Sequence, residues 1–507
     1  MSASGASHPL EGGPLSEPAD EHAALSVWRQ LANESLMFPL DMSNVAAQIG
    51  PQRQLFVDNT LIAEASNVTR EVHQPVRHPR NPILRAQGGA HAVVLSVLPF
   101  AESPRFRMWY WSASAWHPWG MGTEIRSGMS YAISEDGVHW ERPHLNLHTV
   151  EGIEEPNLIL PYGRMLGVFH EPWEDDPQKR FKALVVVETR KQGQRGAQGE
   201  VIPTAYYLHT SPDGIQWTCD GDFTKPILPF LRGRAFVQSG VGDTSRFWWD
   251  PIRHKYIGDV KFVLPGTIRC RGMMESDDLV HWTRPHATFA ARNPDHQVYG
   301  HTAVAYEGMY IGVRWIFEPE YLDSNHCMPV ELDCSRDGKY WTRVGAGQPF
   351  MALNPQRDTW DCDQMKITSL LVVGDEIWLY YAANRGYMSA SKAHTGLARL
   401  RLDGFASING GEEPATLLTR PLGFEGTRLH VNAEVAPGGE VRAGFVSRDG
   451  SYVAGLSPDD CQPITENGVA IPVRWRGGHD LGALATSDVR LEFRLRQAKL
   501  YSFRISA

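Results

Sequence analysis

Apolar residues follow a pattern of short runs along most of the chain. Such runs, bounded by Gly, Pro, Asn and Asp, are typical of β-strands joined by tight turns. They recur from Leu55 onward as LFVDNTLI, AVVLSVLPF and RFRMWYWSAS, and residues 241–260 have the pattern of a hairpin that turns at Asp250 and Pro251. The apolar pattern therefore predicts an all-β fold.

A seven-residue motif of the form S-x-D-[GL]-x-x-W occurs four times, each time after an apolar run. The copies are residues 134–140, 211–217, 276–282 and 335–341. A repeat that spans several strands is typical of a β-propeller, whose blades bury their faces against one another. Asp-Gly suits a tight turn and Trp suits packing between blades, so we assign the motif a structural role. A fifth run of strands follows without the motif, which predicts five blades over about residues 85–405.

The strand pattern changes after Phe405. Strict alternation from Val489 to Ile505, with clusters of turn residues before it, predicts a C-terminal β-sandwich. The predicted division is an N-terminal tail over 1–50 with a short helix near 23–37, a five-bladed propeller domain over 51–405, and a sandwich over 406–507.

Composition and charge narrow the class of protein. The 507 residues include 47 Gly and 34 Pro, which favours strands and turns over long helices. A net charge of −9 argues against nucleic-acid or anionic-membrane partners, which need a basic face. The six cysteines form no CxxC pair, so we expect neither a zinc site nor a disulfide scaffold. His and Cys have no ligand spacing either, so we expect no transition metal and no cofactor. The sequence shows no 18-residue apolar run and no export signal, which predicts a cytoplasmic protein whose oligomeric state stays open.

Polar residues precede the predicted first strand of every blade. Because first strands lie nearest the axis of a propeller, these residues should line a central funnel. The segments are 89–91, 154–157, 242–244, 295–301 and 360–364. A structural axis would be filled by small or apolar residues, so the pattern predicts a binding funnel. The predicted substrate-binding residues are His91, Glu155, Asn157, Tyr299, His301, Arg314, Trp360, Asp363 and Arg385.

The propeller repeat, the SDDLVHW element at 276–282 and the C-terminal strand pattern together resemble glycoside hydrolase family 32 and its relatives in families 43, 62, 68, 117 and 130. LFVDNTLI, HQPVRHPRNPIL at 73–84 and LSPDDCQPI at 456–464 are similar to a family-32-like branch. The resemblance covers nearly everything from Leu55 onward. It implies a five-bladed propeller with a C-terminal sandwich, and cleavage of glycosidic bonds by carboxylates in the funnel.

The same resemblance suggests which carboxylates take part. Residues 241–244, followed by Phe247 and Trp248, are similar to the Arg-Asp-Pro motif of family 32, which implies that Asp243 is catalytic. The Asn-Asp-Pro and Glu-Cys motifs are absent, so sucrose or fructan specificity does not carry over. Because cleavage needs two carboxyl groups that flank the bond, we expect Asp295 and Asp361 as partners of Asp243. The family also implies an axial calcium or sodium ion near His301.

Three functions fit these observations. The first is a glycosidase, either a hydrolase or a transglycosidase, that acts on a small glycoside or oligosaccharide. The second is a noncatalytic carbohydrate-binding propeller, and the third is a propeller that binds proteins through an exposed apolar patch. The acids at strand starts favour the first. A phosphorylase, as in family 130, would require a cluster of basic residues in the funnel.

Overall fold

A computed structural model of the chain describes residues 28–29, 42–114, 126–187, 194–195, 201–221, 223–229, 244–264, 268–293, 296–318, 327–345, 348–386, 392–478, 480–485 and 488–507. These residues are almost entirely strands and turns, so the predicted all-β class is confirmed. Within the described ranges no helix has both the length and the apolar character needed to cross a membrane. Of the predicted tail over 1–50, the structure describes Trp28, Arg29 and residues 42–50, and the last of these ranges includes the strand Ala47–Ile49. The rest of the tail and of the predicted helix lies outside the described residues.

Five antiparallel sheets form the five blades of a propeller, and the predicted five-bladed architecture is confirmed. The inner strand of each blade contacts the inner strand of the next blade, all the way round the ring. From the inner strand outward, blade one comprises Val93–Pro99, Phe106–Ala113, Ser127–Ser134 and Leu158–Leu160, and blade two comprises Arg164–His170, Phe181–Val187, Ala205–Ser211 and Thr218–Cys219. Blade three comprises Arg246–Asp250, Lys255–Leu264, Ile268–Ser276 and His286–Ala290, and blade four comprises Gln297–Tyr306, Met309–Phe317, Val330–Ser335 and Thr342–Arg343. Blade five comprises Gln364–Val373, Glu376–Asn384, His394–Arg401 and Val76–Arg77.

The repeated motif joins the third strand to the fourth in blades one to four. In the first copy, Asp136 Oδ1 accepts hydrogen bonds from the backbone N–H groups of Val138 and His139, at 2.9 and 2.8 Å. Ser134 Oγ accepts from Gly137 N at 2.9 Å, and the other copies repeat these bonds. All of these bonds lie within the turn, which confirms the structural role predicted for the motif.

Blade five lacks the motif because its fourth strand comes from the other end of the chain. Val76 and Arg77 pair with Arg399 and Ala398, and this pairing closes the ring. The third strand of blade five therefore continues directly into the C-terminal region, with no turn to a fourth strand.

The C-terminal region forms an eight-stranded sheet that also includes N-terminal strands. Its long strands Arg428–Val446 and Arg490–Ser506 pair along most of their length. Buried and partly exposed positions alternate along the second of them, as the sequence predicts. The remaining strands are Gln54–Leu55, Ile62–Ser66, Val68–Val72, Ala406–Gly410, Ala415–Thr419 and Gly468–Pro472. The sheet thus includes strands from outside the predicted 406–507 unit.

Shorter elements complete the fold. Ala47–Ile49 pairs in parallel with Leu422–Phe424, and Gln194–Arg195 pairs with Val201–Ile202. Leu228–Pro229 and Pro349–Met351 are short strands at the edges of blades two and four, and Pro177–Lys179 and Leu481–Leu484 are 3-10 turns.

Candidate functional site

The inner strands of the five blades all begin at the same end of the propeller, and the axial funnel is the space between these starts. The segments predicted to line it lie directly before or at the start of the inner strands of blades one, three, four and five. Asp243 and Asp295 themselves lie outside the described residues. Thr244 and His296, which follow them in the chain, are described.

The segment predicted to open blade two lies elsewhere. Glu155 and Asn157 precede Leu158–Leu160, which is the fourth strand of blade one, and the inner strand of blade two begins only at Arg164. The prediction of the blade-two start is therefore wrong, because a fourth strand of three residues has the same sequence pattern as the beginning of an inner strand. Both side chains are buried around the Tyr110 hydroxyl, which donates to Glu155 and accepts from Asn157 Nδ2 at 2.7 Å. Burial raises the pKa of Glu155.

Four of the five inner strands carry a β-bulge near the funnel, at Leu95, Leu166, Tyr299 and Thr368. A bulge leaves one residue out of the hydrogen-bonded ladder, and bulges are common beside active sites. The freed carbonyl of Tyr299 accepts a hydrogen bond from Thr244 Oγ1 at 2.7 Å. Since Thr244 directly follows Asp243, this bond ties the start of blade three to the bulge of blade four.

Two cations lie close to the ring of Tyr299. Lys366 Nζ and Arg269 Cζ are both 5.7 Å from the ring centroid, and Phe317 packs against the ring at 5.8 Å. Cations at this distance are attracted to the electron-rich face of the ring. Tyr299 keeps 7% of its surface exposed, so its contact with a ligand stays a prediction.

His91 lies at the start of blade one as an uncharged imidazole. Its Nδ1 accepts a hydrogen bond from Ala393 N at 2.9 Å, and its ring stacks on Trp111 at 6.5 Å. Burial, together with the charges of Lys392 and Lys366, lowers the pKa of His91 to about 3. The ring is therefore neutral at physiological pH and accepts at Nδ1.

Asp361 faces the outer part of blade five. Its Oδ2 lies 2.6 Å from Arg77 Nε, on the fourth strand, and 3.4 Å from the Tyr381 hydroxyl, on the second strand. Its Oδ1 accepts from Asn354 Nδ2 at 3.2 Å. Trp360 stacks on Tyr381 with the ring centroids 5.6 Å apart. The described contacts of Asp361 thus belong to the outer strands, and its catalytic role stays a prediction.

Asp363 ties the start of the fifth inner strand to the turn after the second strand. Its Oδ2 accepts from Gly386 N at 2.5 Å, and its Oδ1 lies 2.7 Å from Arg357 NH1. Arg385, next to Gly386, is exposed at the same end of the blade. Both residues are therefore placed near the funnel, and substrate contact stays a prediction for each.

His301 and Arg314 belong to a chain of buried ion pairs between blades three and four. His301 Nδ1 lies 2.6 Å from Asp259 and Nε2 lies 3.1 Å from Asp333. Arg314 binds Asp333 at 2.6 Å, and Arg271 binds Asp259. Burial opposes protonation, but the two aspartates outweigh it and raise the pKa of His301. His301 and Arg314 are both 0% exposed, so their described contacts fix the packing of blades.

The axial cation implied by the family resemblance does not fit the residues around His301. Both ring nitrogens face carboxylates, and a protonated imidazole has no lone pair for a metal ion. Across the ranges that the structure describes, no group of three or more His, Cys, Asp or Glu is placed to hold a metal ion.

Glu318 is an acid at this end of the propeller that the sequence reasoning missed. It directly follows the second strand of blade four, whose last residue, Phe317, lies opposite Gln297 at the start of the inner strand. Its carboxylate lies 3.7 Å from His296 Nδ1, and its side chain is 16% exposed. Burial and the nearby charge of Glu331 raise the pKa of Glu318. The signal in the sequence is an acid at the end of a second strand, whereas the predicted funnel segments all precede inner strands.

No family model matches the sequence, and no curated protein matches it. Solved structures with a similar fold include one described as a glycoside hydrolase, with 13% identity over 66% of this chain and 92% of that chain and a TM-score of 0.46. Another belongs to work on the GH130 mannoside phosphorylases and glycoside hydrolases that target β-1,2-mannosidic linkages in Candida mannan, with 13% identity, 65% and 94% coverage and a TM-score of 0.43. A thermostable family-43 glycoside hydrolase matches with 14% identity, 65% and 95% coverage and a TM-score of 0.40. The chain is thus similar in structure to glycoside hydrolases, and its function has to be argued from its own side chains.

Proposed function

We propose that this chain is a glycosidase, either a hydrolase or a transglycosidase, that acts on a small glycoside or oligosaccharide in the axial funnel. The observation that carries the proposal is Glu318, a largely buried acid with a raised pKa at the funnel end of blade four. A raised pKa favours the protonated carboxyl group, which can donate a proton to the leaving oxygen of a glycoside. We assign this role to Glu318.

Glycoside cleavage also needs a second, ionised carboxylate that stabilises the positive charge developing at the anomeric carbon. Asp243 is our choice, because it directly precedes Thr244, which is bonded to the bulge carbonyl of Tyr299. Asp295, one residue before His296, is the next choice. Asp361 is bound by Arg77 toward the outer strands, so it ranks after both.

The described funnel residues also suit sugar recognition. Tyr299 and Trp360 supply aromatic rings, and Asp363 and His91, whose imidazole is uncharged, supply polar atoms. Binding sites that combine apolar faces with a few fixed polar groups are typical for small ligands. We propose these residues as the walls of the sugar site.

The test is turnover of a panel of aryl glycosides by purified wild-type protein and by the Glu318→Gln and Asp243→Asn variants. Both variants keep the size of the side chain and should fold normally by circular dichroism. Rates should fall on the order of 10²-fold or more, as expected when a catalytic proton donor or charge is lost. The matched control is Asp136→Asn in the blade-one turn, which should lower stability and leave turnover per folded molecule unchanged.

Two results would count against the proposal. Near-full turnover by a well-folded Glu318→Gln variant would remove Glu318 from the chemistry. Sugar binding by the wild-type protein with no turnover across the panel would support the noncatalytic carbohydrate-binding propeller instead.

We also propose that the C-terminal sheet folds over on itself as the predicted β-sandwich. Support comes from the register breaks in Arg428–Val446, at 432–433 and 435–440, and from one apolar core shared by nearly all of its strands. Bulges of this kind bend a strand and let one sheet cover both sides of a core. A crystal structure with an open, single-layered sheet would contradict this.

A further inference from the structure

We propose that the floor of the axial funnel binds an oxyanion, and that Arg246 is the residue that attracts it. Arg246 is the first residue of the inner strand of blade three. Its NH2 group donates to the carbonyl of Leu95 at 2.5 Å and to the carbonyl of Thr368 at 2.9 Å. These carbonyls belong to blades one and five, so one guanidinium joins three of the five inner strands and lies close to the axis.

The two accepting carbonyls are available because of the bulges. Leu95 and Thr368 are the residues left out of the ladder in their strands, so their carbonyls are free to turn toward the axis. The carbonyls position the guanidinium but do not neutralise it. The bulges therefore hold a cation beneath the funnel.

The charge of Arg246 has no counter-charge among the described residues. No described carboxylate lies within ion-pair distance of its guanidinium, and Asp259, which acts on it only at longer range, is already bound by Arg271 and His301. Burial accordingly lowers the pKa of Arg246 to about 10. A desolvated charge without a partner is costly, and proteins that retain one usually supply the opposite charge from a ligand.

Polar atoms of Arg246 and of the inner strand of blade five also lack hydrogen-bond partners among the described residues. Arg246 NH1, Gln364 Nε2 and Thr368 Oγ1 are buried and have no acceptor or donor in the part of the chain that the structure describes. Lys366 lies between the last two on the same inner strand, and Lys366 and Arg246 each keep 8% of their surface exposed. Buried donors without acceptors, together with the charge of Arg246, fit a ligand group rich in oxygen and negative charge.

Two sources of such a group share this chemistry. The oxyanion is either a carboxylate carried by the sugar, as in a uronic acid, or free inorganic phosphate that accepts the glycosyl group. In the second case the glycosidic C1–O bond breaks, a phosphate oxygen bonds C1, and the leaving oxygen takes up a proton. The inference deepens the proposed function by naming the charge of the ligand.

The experiment measures binding without turnover, so its outcome is independent of whether the glycosidase proposal holds. Inorganic phosphate, D-glucuronate and D-glucose are titrated into wild-type protein by calorimetry at constant ionic strength. At least one of the two anions should bind at least about 10-fold more tightly than glucose. Arg246→Gln should lose most of that preference, and Arg246→Lys, which keeps the cation, should lose less. The control Arg496→Gln changes an exposed arginine and should bind like wild type.

Each outcome decides the proposal. Preference for phosphate identifies the free ion as the source of the oxyanion, and preference for glucuronate identifies a carboxylate carried by the sugar. If Arg246→Gln fails to fold, Lys366→Gln takes its place and should also weaken anion binding several-fold. Equal binding of glucose and both anions, or unchanged anion binding in the folded variants, would overturn the inference.

Discussion

Buried charges in this propeller fall into two groups that differ in how they are balanced. In the first group, His301, Arg314 and Arg271 alternate with Asp259 and Asp333, and every charge has an opposite neighbour. In the second group, Arg246 and Glu318 are sheltered from water without a full partner. Balanced networks fix a packing arrangement, whereas unbalanced groups are candidates for chemistry.

Glu318→Gln should change the pH dependence of both activity and stability. A raised pKa means that the folded protein binds the Glu318 proton more tightly than the unfolded chain does. The contribution of this group to stability is therefore present below pH 4.5 and is lost as the pH rises through the folded pKa. Thermal unfolding should therefore show the variant to be more stable than wild type at pH 7–8 and equal to it in acid. The alkaline limb of the rate profile should disappear together with most of the rate. A variant less stable than wild type at pH 8 would contradict the assignment.

Asp333→Asn should destabilise the fold by about 3–5 kcal/mol, because it leaves Arg314 and His301 as buried charges without their partner. The pKa of His301 is raised above 6.5, so its contribution is lost as the pH rises through that raised value. The pKa of Asp333 is lowered below 3.8, so its contribution is lost as the pH falls through that lowered value. Denaturant unfolding should show the largest difference from wild type between about pH 4 and 6.5. Exposed Glu466→Gln is the control and should change little at any pH.

The elements that sequence reasoning predicted well are those whose contacts are local. Each S-x-D-[GL]-x-x-W turn is held by bonds within seven residues, so it can be recognised from sequence and marks the blades. The start of blade two was misplaced because Leu158–Leu160 is short and runs into Arg164 after only a brief turn. The pairing of Val76–Arg77 with blade five joins distant parts of the chain, and no local pattern encodes it. Likewise Arg246 has the sequence context of an ordinary strand residue, and only the assembled ring shows that three blades meet at its guanidinium.

Arg77→Gln should weaken the closure of the ring. The substitution removes the partner of Asp361, which is 1% exposed, and the bond that Arg77 NH2 donates to Ala352 O. Because Arg77 is itself partly exposed, we expect a loss of about 1–3 kcal/mol. Arg80→Gln, an exposed neighbour in the same segment, is the matched control in chemical denaturation.

The same pair tests the predicted catalytic role of Asp361. If Asp361 is mainly the partner of Arg77, Asp361→Asn should lose stability by a similar amount and keep its turnover per folded molecule. A well-folded Asp361→Asn protein that has lost its turnover would show instead that this acid takes part in catalysis.

At the scale of the whole molecule, we expect stability and activity to be independent of metal ions. Both nitrogens of His301 are engaged by carboxylates, and the cation close to the axis is the guanidinium of Arg246. Dialysis against EDTA should leave the melting temperature and turnover unchanged. Loss of activity on chelation that added zinc or calcium restores would contradict this.

The fourth strand of blade five also sets the order in which the chain can fold during synthesis. Residues 54–77 leave the ribosome before the first four blades, yet their partners lie in the last blade and in the C-terminal sheet. At about 5–20 residues per second, tens of seconds pass before those partners emerge. During this interval the N-terminal strands have unpaired edges, while the first four blades can form from local hairpins. Completion of the ring is therefore a late, long-range event, and until then the strands of residues 54–77 are the part of the nascent chain most vulnerable to aggregation and proteolysis.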